Sequence, residues 1–317
     1  MGRFDVLRRI ERLDPARDHA EIYRLMGTRE FPWDMMQALS FALFRTYAVP
    51  SIGALLARTG EFVERPQKRH DDTVLILDAV IEHGMDSPEG RTAIRRMNQM
   101  HRSYAISNDD LRYVLATFVV TPIRWVDRYG WRRLTETERI ASANYYRALG
   151  RRMGIRDIPG TWQAFARLLD AYEREHFGFD HGGRTVAEAT LALLATFPPS
   201  DRLPAGLVRW ISFALMDEPL LDAFGFPHPA PVVRTLVEGG LRARGRVVRF
   251  LPPRREPLYA RQFPRVRSYP DGYEVARLGT FPPGCPLPPP RGALPEDGTA
   301  KSPAVTRTSG SGTPPMS

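Results

Sequence analysis

Pro66-Gln-Lys-Arg-His-Asp-Asp-Thr73, an apolar run through Ile81, the turn at His83-Gly84, and then Arg95-Arg-Met-Asn-Gln-Met-His-Arg-Ser-Tyr104 form the stretch whose reading decides the fold. A proline suits the first turn of a helix, where its missing N–H has no intrahelical partner to lose. Val74, Leu75, Leu77, Val80 and Ile81 then recur at helical spacing, so the first half reads as a helix from Pro66 that ends at His83-Gly84. Ser87 is a good N-cap, with Pro88 at N1 and Glu89 in the first turn, so a second helix is expected from there to about Tyr104. Two helices joined by a tight turn follow.

On the second helix Ile94, Met97, Asn98 and His101 succeed one another in steps of three or four and share a face, which turns His101 inward. A buried imidazole is either a core residue with hydrogen-bond partners or a metal ligand oriented through its other nitrogen. On the first helix Arg69 and Thr73 stand at i and i+4 and also share a face. An arginine beside an apolar site needs an anion, which a cofactor carboxylate would supply. The other reading is a bridge from Arg69 to Asp71 or Asp72 on a solvated face.

Further out, Gly27-Thr-Arg-Glu-Phe-Pro-Trp33, Phe44-Arg-Thr-Tyr-Ala-Val-Pro-Ser-Ile52, Lys68-Arg-His-Asp-Asp-Thr73, Arg96-Met-Asn-Gln-Met-His-Arg102, Ser107-Asn-Asp-Asp110, Pro122-Ile-Arg-Trp125 and Ser268-Tyr-Pro-Asp-Gly-Tyr273 together resemble the oxygenase family of fungal MpaB and bacterial latex clearing protein. The likeness runs from about Met26 to Gly279. It implies a b-type haem in a helical, globin-like core and oxidation by dioxygen of a hydrophobic, isoprenoid or other alkene-containing substrate. By the resemblance His101 matches the proximal haem ligand, and Arg69 and Thr73 match an Arg-x-x-x-Thr motif lining the haem pocket. Rubber-cleaving members carry a lysine just before that threonine. Here the position is Asp72, which is expected to hydrogen-bond or to pair with Arg69 and argues against rubber as the substrate. Arg69, Asp72 and Thr73 are thus the candidate catalytic residues, with His101, Arg69 and Thr73 on the cofactor.

The chain has 317 residues, 43% of them hydrophobic, enough to bury a substantial core. No long polar gap interrupts residues 29–248, so one all-α, multi-helix domain is expected over residues 1–279, followed by a disordered Pro-rich tail over 280–317. Phe31 to Ala57 carries almost no charge and reads as buried helix, broken or kinked at Pro50. Further helices are expected from Asp18 to Gly27, from an Asn108 cap to Tyr129, from the capping signature at Leu134–Glu138 to Met153, and over 161–176, 185–196, 203–216 and 232–244. Neither alternating strands nor a Gly-rich phosphate loop stands out, which argues against a nucleotide-binding α/β fold.

Met1-Gly-Arg-Phe-Asp5 leads into charged residues, with no apolar core of a signal peptide and no myristoylation motif, and no apolar run is long enough for a transmembrane helix. The expected location is the cytoplasm. The lone Cys285, among prolines, makes no internal disulfide. Ten arginines between Pro231 and Pro270 face only Glu238 and Glu256, a local net charge of +8 against +9 for the whole chain. Such a segment meets anionic lipid, nucleic acid or an acidic partner, or is simply a solvated arm. Nucleic acid is not expected, because no groove-reading motif accompanies it; a weak contact of Arg234–Arg267 with an anionic surface stays open. A rival enzyme class is raised by His70-Asp71, as in HD-type metal-dependent phosphohydrolases, with His19, His101 and Asp127 as conceivable further ligands.

Overall fold

The computed structural model describes residues 2–280; the proposed tail and Cys285 lie outside the described residues, apart from Thr280. Among those residues the secondary structure is helical throughout, with no strand. Two short helices, α1 (Asp5–Ile10) and α2 (His19–Leu25), lead into a π-helical turn at Met26–Glu30. The apolar segment follows as two helices, α3 (Pro32–Tyr47) and α4 (Pro50–Arg58). As expected, the chain breaks at Pro50, and the axes bend by 97° there. A single turn, α5 (Glu61–Glu64), precedes the deciding pair, α6 (Pro66–His83) and α7 (Pro88–Arg102).

That pair forms as its residues dictate. Pro66 sits in the first turn of α6, and Gly84 ends it with φ of 79°, which a β-carbon would resist. The Ser87 hydroxyl accepts from the Gly90 N–H at 2.9 Å and caps α7, which ends at Arg102, two residues before the expected limit.

Next come α8 (Asn108–Tyr129), α9 (Glu136–Arg152), α10 (Trp162–His176) and α11 (His181–Leu194), then α12 (Ala205–Leu215), α13 (Glu218–Phe224) and α14 (Pro231–Phe250). The α8 cap is Ser107 instead of Asn108, since its hydroxyl accepts from the Asp110 N–H at 2.9 Å. On α9 the Thr135–Glu138 capping box is present in both directions. The fold is built around the long α8, with α3 along one side and α10 along another, while α2 lies on α9 and α6 on α7. Where α4 crosses α11, Gly53 meets Gly183, and a β-carbon on Gly183 would fall 2.4 Å from the Tyr47 carbonyl oxygen. Only glycine permits that approach.

The basic arm after α14 is structural over most of its length. Leu258 N–H donates to the Thr28 carbonyl at 2.8 Å, Ala260 N–H to Asp78 at 2.8 Å, and Arg267 and Ser268 N–H to Asp71 at 2.9 Å each. Buried Arg96 of α7 holds its far end, donating to the Leu278 and Thr280 carbonyls at 2.6 Å. Carboxylates on α6 and an arginine on α7 thus fasten a segment with little regular structure over the deciding pair. Among the described residues no single helix is long and apolar enough to cross a membrane, and the bent α3–α4 pair carries many core residues.

Candidate functional site

A cavity of about 280 Å³ opens where α3, α4, α6, α7 and α8 converge. Protein interiors rarely leave voids much larger than a water, so a space of this size is a built feature. Its walls are mainly apolar: Leu43, Ile52, Leu55, Leu77, Met97, Leu111, Val114 and Phe118 contribute, with Tyr47 and Tyr146. A second cavity of about 90 Å³ adjoins it, and Leu43, Thr73, Leu77 and Phe118 belong to the walls of both.

His101 reaches the larger cavity from the last turn of α7. Its Nδ1 is shielded from solvent and has no hydrogen-bond partner among the described residues. Burial, and then the positive charge of Arg69, press its pKa from 6.5 down to about 4, so the ring is neutral at physiological pH and has a lone pair to give. A core histidine ordinarily satisfies both nitrogens. This one does not.

Arg69 and Thr73 line the same cavity from α6, and the guanidinium donates to the Thr73 hydroxyl. Arg69 also lies over the Phe62 ring at 5.1 Å. No carboxylate pairs with it among the described residues, so the expected alternative of a bridge to Asp71 or Asp72 is not what forms. The cavity therefore holds, among the described residues, a guanidinium without a carboxylate beside a neutral imidazole in mainly apolar surroundings.

Asp72 is corrected. It does not pair with Arg69 and is absent from the cavity wall; it is buried against Lys68 Nζ at 2.7 Å and accepts a hydrogen bond from the Tyr269 hydroxyl. One residue before Thr73, it points some 100° around α6, toward the C-terminal arm, where these two donors satisfy it.

His70-Asp71 is likewise a fastening. His70 Nδ1 lies 2.8 Å from Asp71 Oδ1, and the second carboxylate oxygen takes the Arg267 and Ser268 N–H groups and the Ser268 hydroxyl at 2.7 Å. Burial alone would raise the Asp71 carboxyl; the His70 bond, the Arg267 N–H, Ser268 and Gln67 outweigh it and hold the pKa down to about 2. Among the described residues no group of three His, Cys, Asp or Glu side chains gathers to hold a metal, and His19, His101 and Asp127 do not join this pair. The phosphohydrolase reading finds no metal-holding group among the described residues.

Two carboxylates of the cavity wall were not singled out in the sequence. Asp110 accepts from Ser51 at 2.9 Å and from the Tyr172 hydroxyl at 2.8 Å, and Glu61 pairs with Arg65. Asp110 was visible only as part of the Ser107–Asp110 run, and Glu61 sits on a four-residue helix without any periodic signal.

Fold and site together define an all-helical protein with a histidine-bearing apolar chamber. Residues 28–250 match the family model described as "ER-bound oxygenase mpaB/B'/Rubber oxygenase, catalytic domain", and the chain belongs to that family. It is 30% identical over 253 residues to the ER-bound oxygenase mpaB' of Penicillium brevicompactum, covering 74% of this chain and 59% of that protein. To the ER-bound oxygenase mpaB of Penicillium roqueforti it is 31% identical over 222 residues, 64% of this chain and 74% of that one. The chain thus spans well under two thirds of the first relative's length. In fold it is similar to the structure of latex clearing protein LCP in the closed state, with a TM-score of 0.52, 14% identity, and coverage of 76% of this chain and 68% of that one.

Proposed function

We propose that the protein is a haem b-dependent oxygenase that uses dioxygen on a hydrophobic, alkene-containing substrate of isoprenoid type. The observation that carries the reading is the unpartnered His101 nitrogen beside a 280 Å³ apolar cavity. The residues fit a haem: a neutral imidazole for iron, an arginine without a carboxylate for a propionate, and aliphatic walls for the macrocycle. When bound, haem b supplies the redox-active iron at which dioxygen is activated. His101 would hold that group, and Arg69 would steady its acidic edge. Thr73, shared by both cavities, would border the space open to substrate, with its hydroxyl oriented by Arg69.

Leu43, Leu77 and Phe118, in the walls of both cavities, would exclude water and bind hydrocarbon by apolar burial alone. The smaller cavity continues past Met35, Leu39 and Ile81 to Phe263, a path suited to an extended apolar chain. Family membership supports an oxygenase of this type. The test is oxygen uptake by the haem-loaded protein with an isoprenoid alkene against its saturated analogue. Consumption with the alkene alone, with oxygen recovered in the product, is expected; equal uptake, or none under either condition, contradicts the reading.

A further inference from the structure

Helix α14 is docked by one face and bare on the other. On the docked face Glu238 is buried and pairs with Arg128 at 2.5 Å and Arg242 at 2.9 Å, and Arg244 pairs with Asp34 at 2.8 Å. Gly245 lies so close to the end of α8 that a β-carbon would stand 2.6 Å from the Tyr129 carbonyl oxygen. That side is complete.

The outward side is apolar where a water-facing helix should be polar. Val232, Leu236, Gly239, Ala243, Val247 and Phe250 all face solvent. At 100° per residue they fall within an arc of about 80°, a stripe running the roughly 27 Å length of the helix. Phe250 is 85% exposed, Leu236 70%, Val232 63% and Val247 60%. Scattered exposed hydrophobics need no explanation, but an ordered row of them does. Helix α12, packed on α14, adds exposed Leu207 and Trp210, and exposed Leu203 stands just before it.

Arg246 borders one edge of the stripe, Arg249 lies further round on the same side, and Arg254 and Arg255 follow its end. All four are exposed and none has an acidic partner among the described residues. The one acidic side chain of α14, Glu238, faces inward. We infer that α14 lies in the plane of an anionic bilayer surface, with the stripe at the acyl boundary and these arginines on lipid phosphates. The combination of an in-plane apolar stripe with an arginine flank is the chemistry such a surface recognises. A second copy of the same face fits worse, because it would bring arginines to arginines with no exposed carboxylate on either helix to meet them. The inference is independent of what the cavity oxidises.

The test is sedimentation of the full chain with phosphatidylglycerol-containing vesicles and with pure phosphatidylcholine vesicles, at low and high salt. Binding to the anionic vesicles, weakened by salt, is expected. Replacing both Arg246→Gln and Arg249→Gln lowers the partition coefficient by roughly 30-fold. Leu236→Glu with Phe250→Glu removes binding, while circular dichroism and haem binding stay as in the parent because both side chains face solvent. A chain that remains in the supernatant with both vesicle types overturns the inference, as does binding unchanged in either double variant. A photo-crosslinker at position 236 that captures a second copy, another protein or residues 281–317 in place of lipid overturns it too.

Discussion

Two side chains carry the site, and a third fastens the arm that covers their helices. Among the described residues His101 keeps an unpaired nitrogen and Arg69 has no carboxylate, while Asp71 accepts more donors than any other acid on α6. Replacing Arg69→Gln keeps a donor for Thr73 but removes the charge offered to a propionate. Titration of the apoprotein with haemin should give an affinity lower by roughly 10- to 100-fold, the worth of one charged hydrogen bond; an unchanged affinity would show that Arg69 serves only Thr73. Asp71 predicts a pH dependence. Its folded pKa, about 2, is below the ordinary 3.8, so the stability it contributes is full above pH 3.8 and disappears as pH falls through 3.8 toward 2. The stability gap between the parent and Asp71→Asn, measured by urea unfolding, should therefore narrow across that window. A gap independent of pH would mean that the charge is not what matters. In the sequence, Arg69, Thr73 and His101 were legible from helical spacing together with the family motif. Which alternative Asp72 would take was not: three and four residues from Arg69 are both neighbouring positions on a helix, and the choice was made by Lys68 and by Tyr269, the latter 197 residues away in sequence.

Among the elements, most boundaries marked by a cap, a proline or a glycine were readable. Pro66, Gly84, Ser87, Pro50 and the Thr135–Glu138 box all stand where the helices begin, end or break. Other boundaries drifted: α11 begins at His181 under its Asp180 cap, four residues before the expected start, and α14 runs six residues past Arg244 to Phe250. The seven-residue α13 was missed because it spans too few turns to show a period. The arm after α14 was illegible for another reason, since side-chain bonds to its backbone hold it and no local pattern records them. The α4–α11 crossing makes a quantitative prediction. Gly183→Ala forces its methyl into the Tyr47 carbonyl and should cost about 2–3 kcal/mol, lowering Tm by roughly 5–10 °C. Gly206→Ala, with nothing within 4 Å, should leave Tm unchanged or slightly higher. Equal melting of the two variants would mean that the crossing relaxes freely.

At the scale of the whole molecule, the helices exist to leave one space unfilled. Seven of them, α3 to α9, contribute to the walls of a cavity that a helical bundle would ordinarily close with side chains, and the arm fastened by Asp71, Asp78 and Arg96 braces the two helices that supply Arg69 and His101. Composition and periodicity indicated an all-helical chain with a large core, but the volume of that cavity and the isolation of the His101 nitrogen depend on long-range packing. The most direct measurement is the visible spectrum of the purified, haem-reconstituted protein beside its His101→Ala variant. The account predicts a Soret band in the parent whose position and intensity are lost in the variant while the helical circular dichroism is retained. A parent that takes up no haem, or a variant with the same spectrum as the parent, would contradict it.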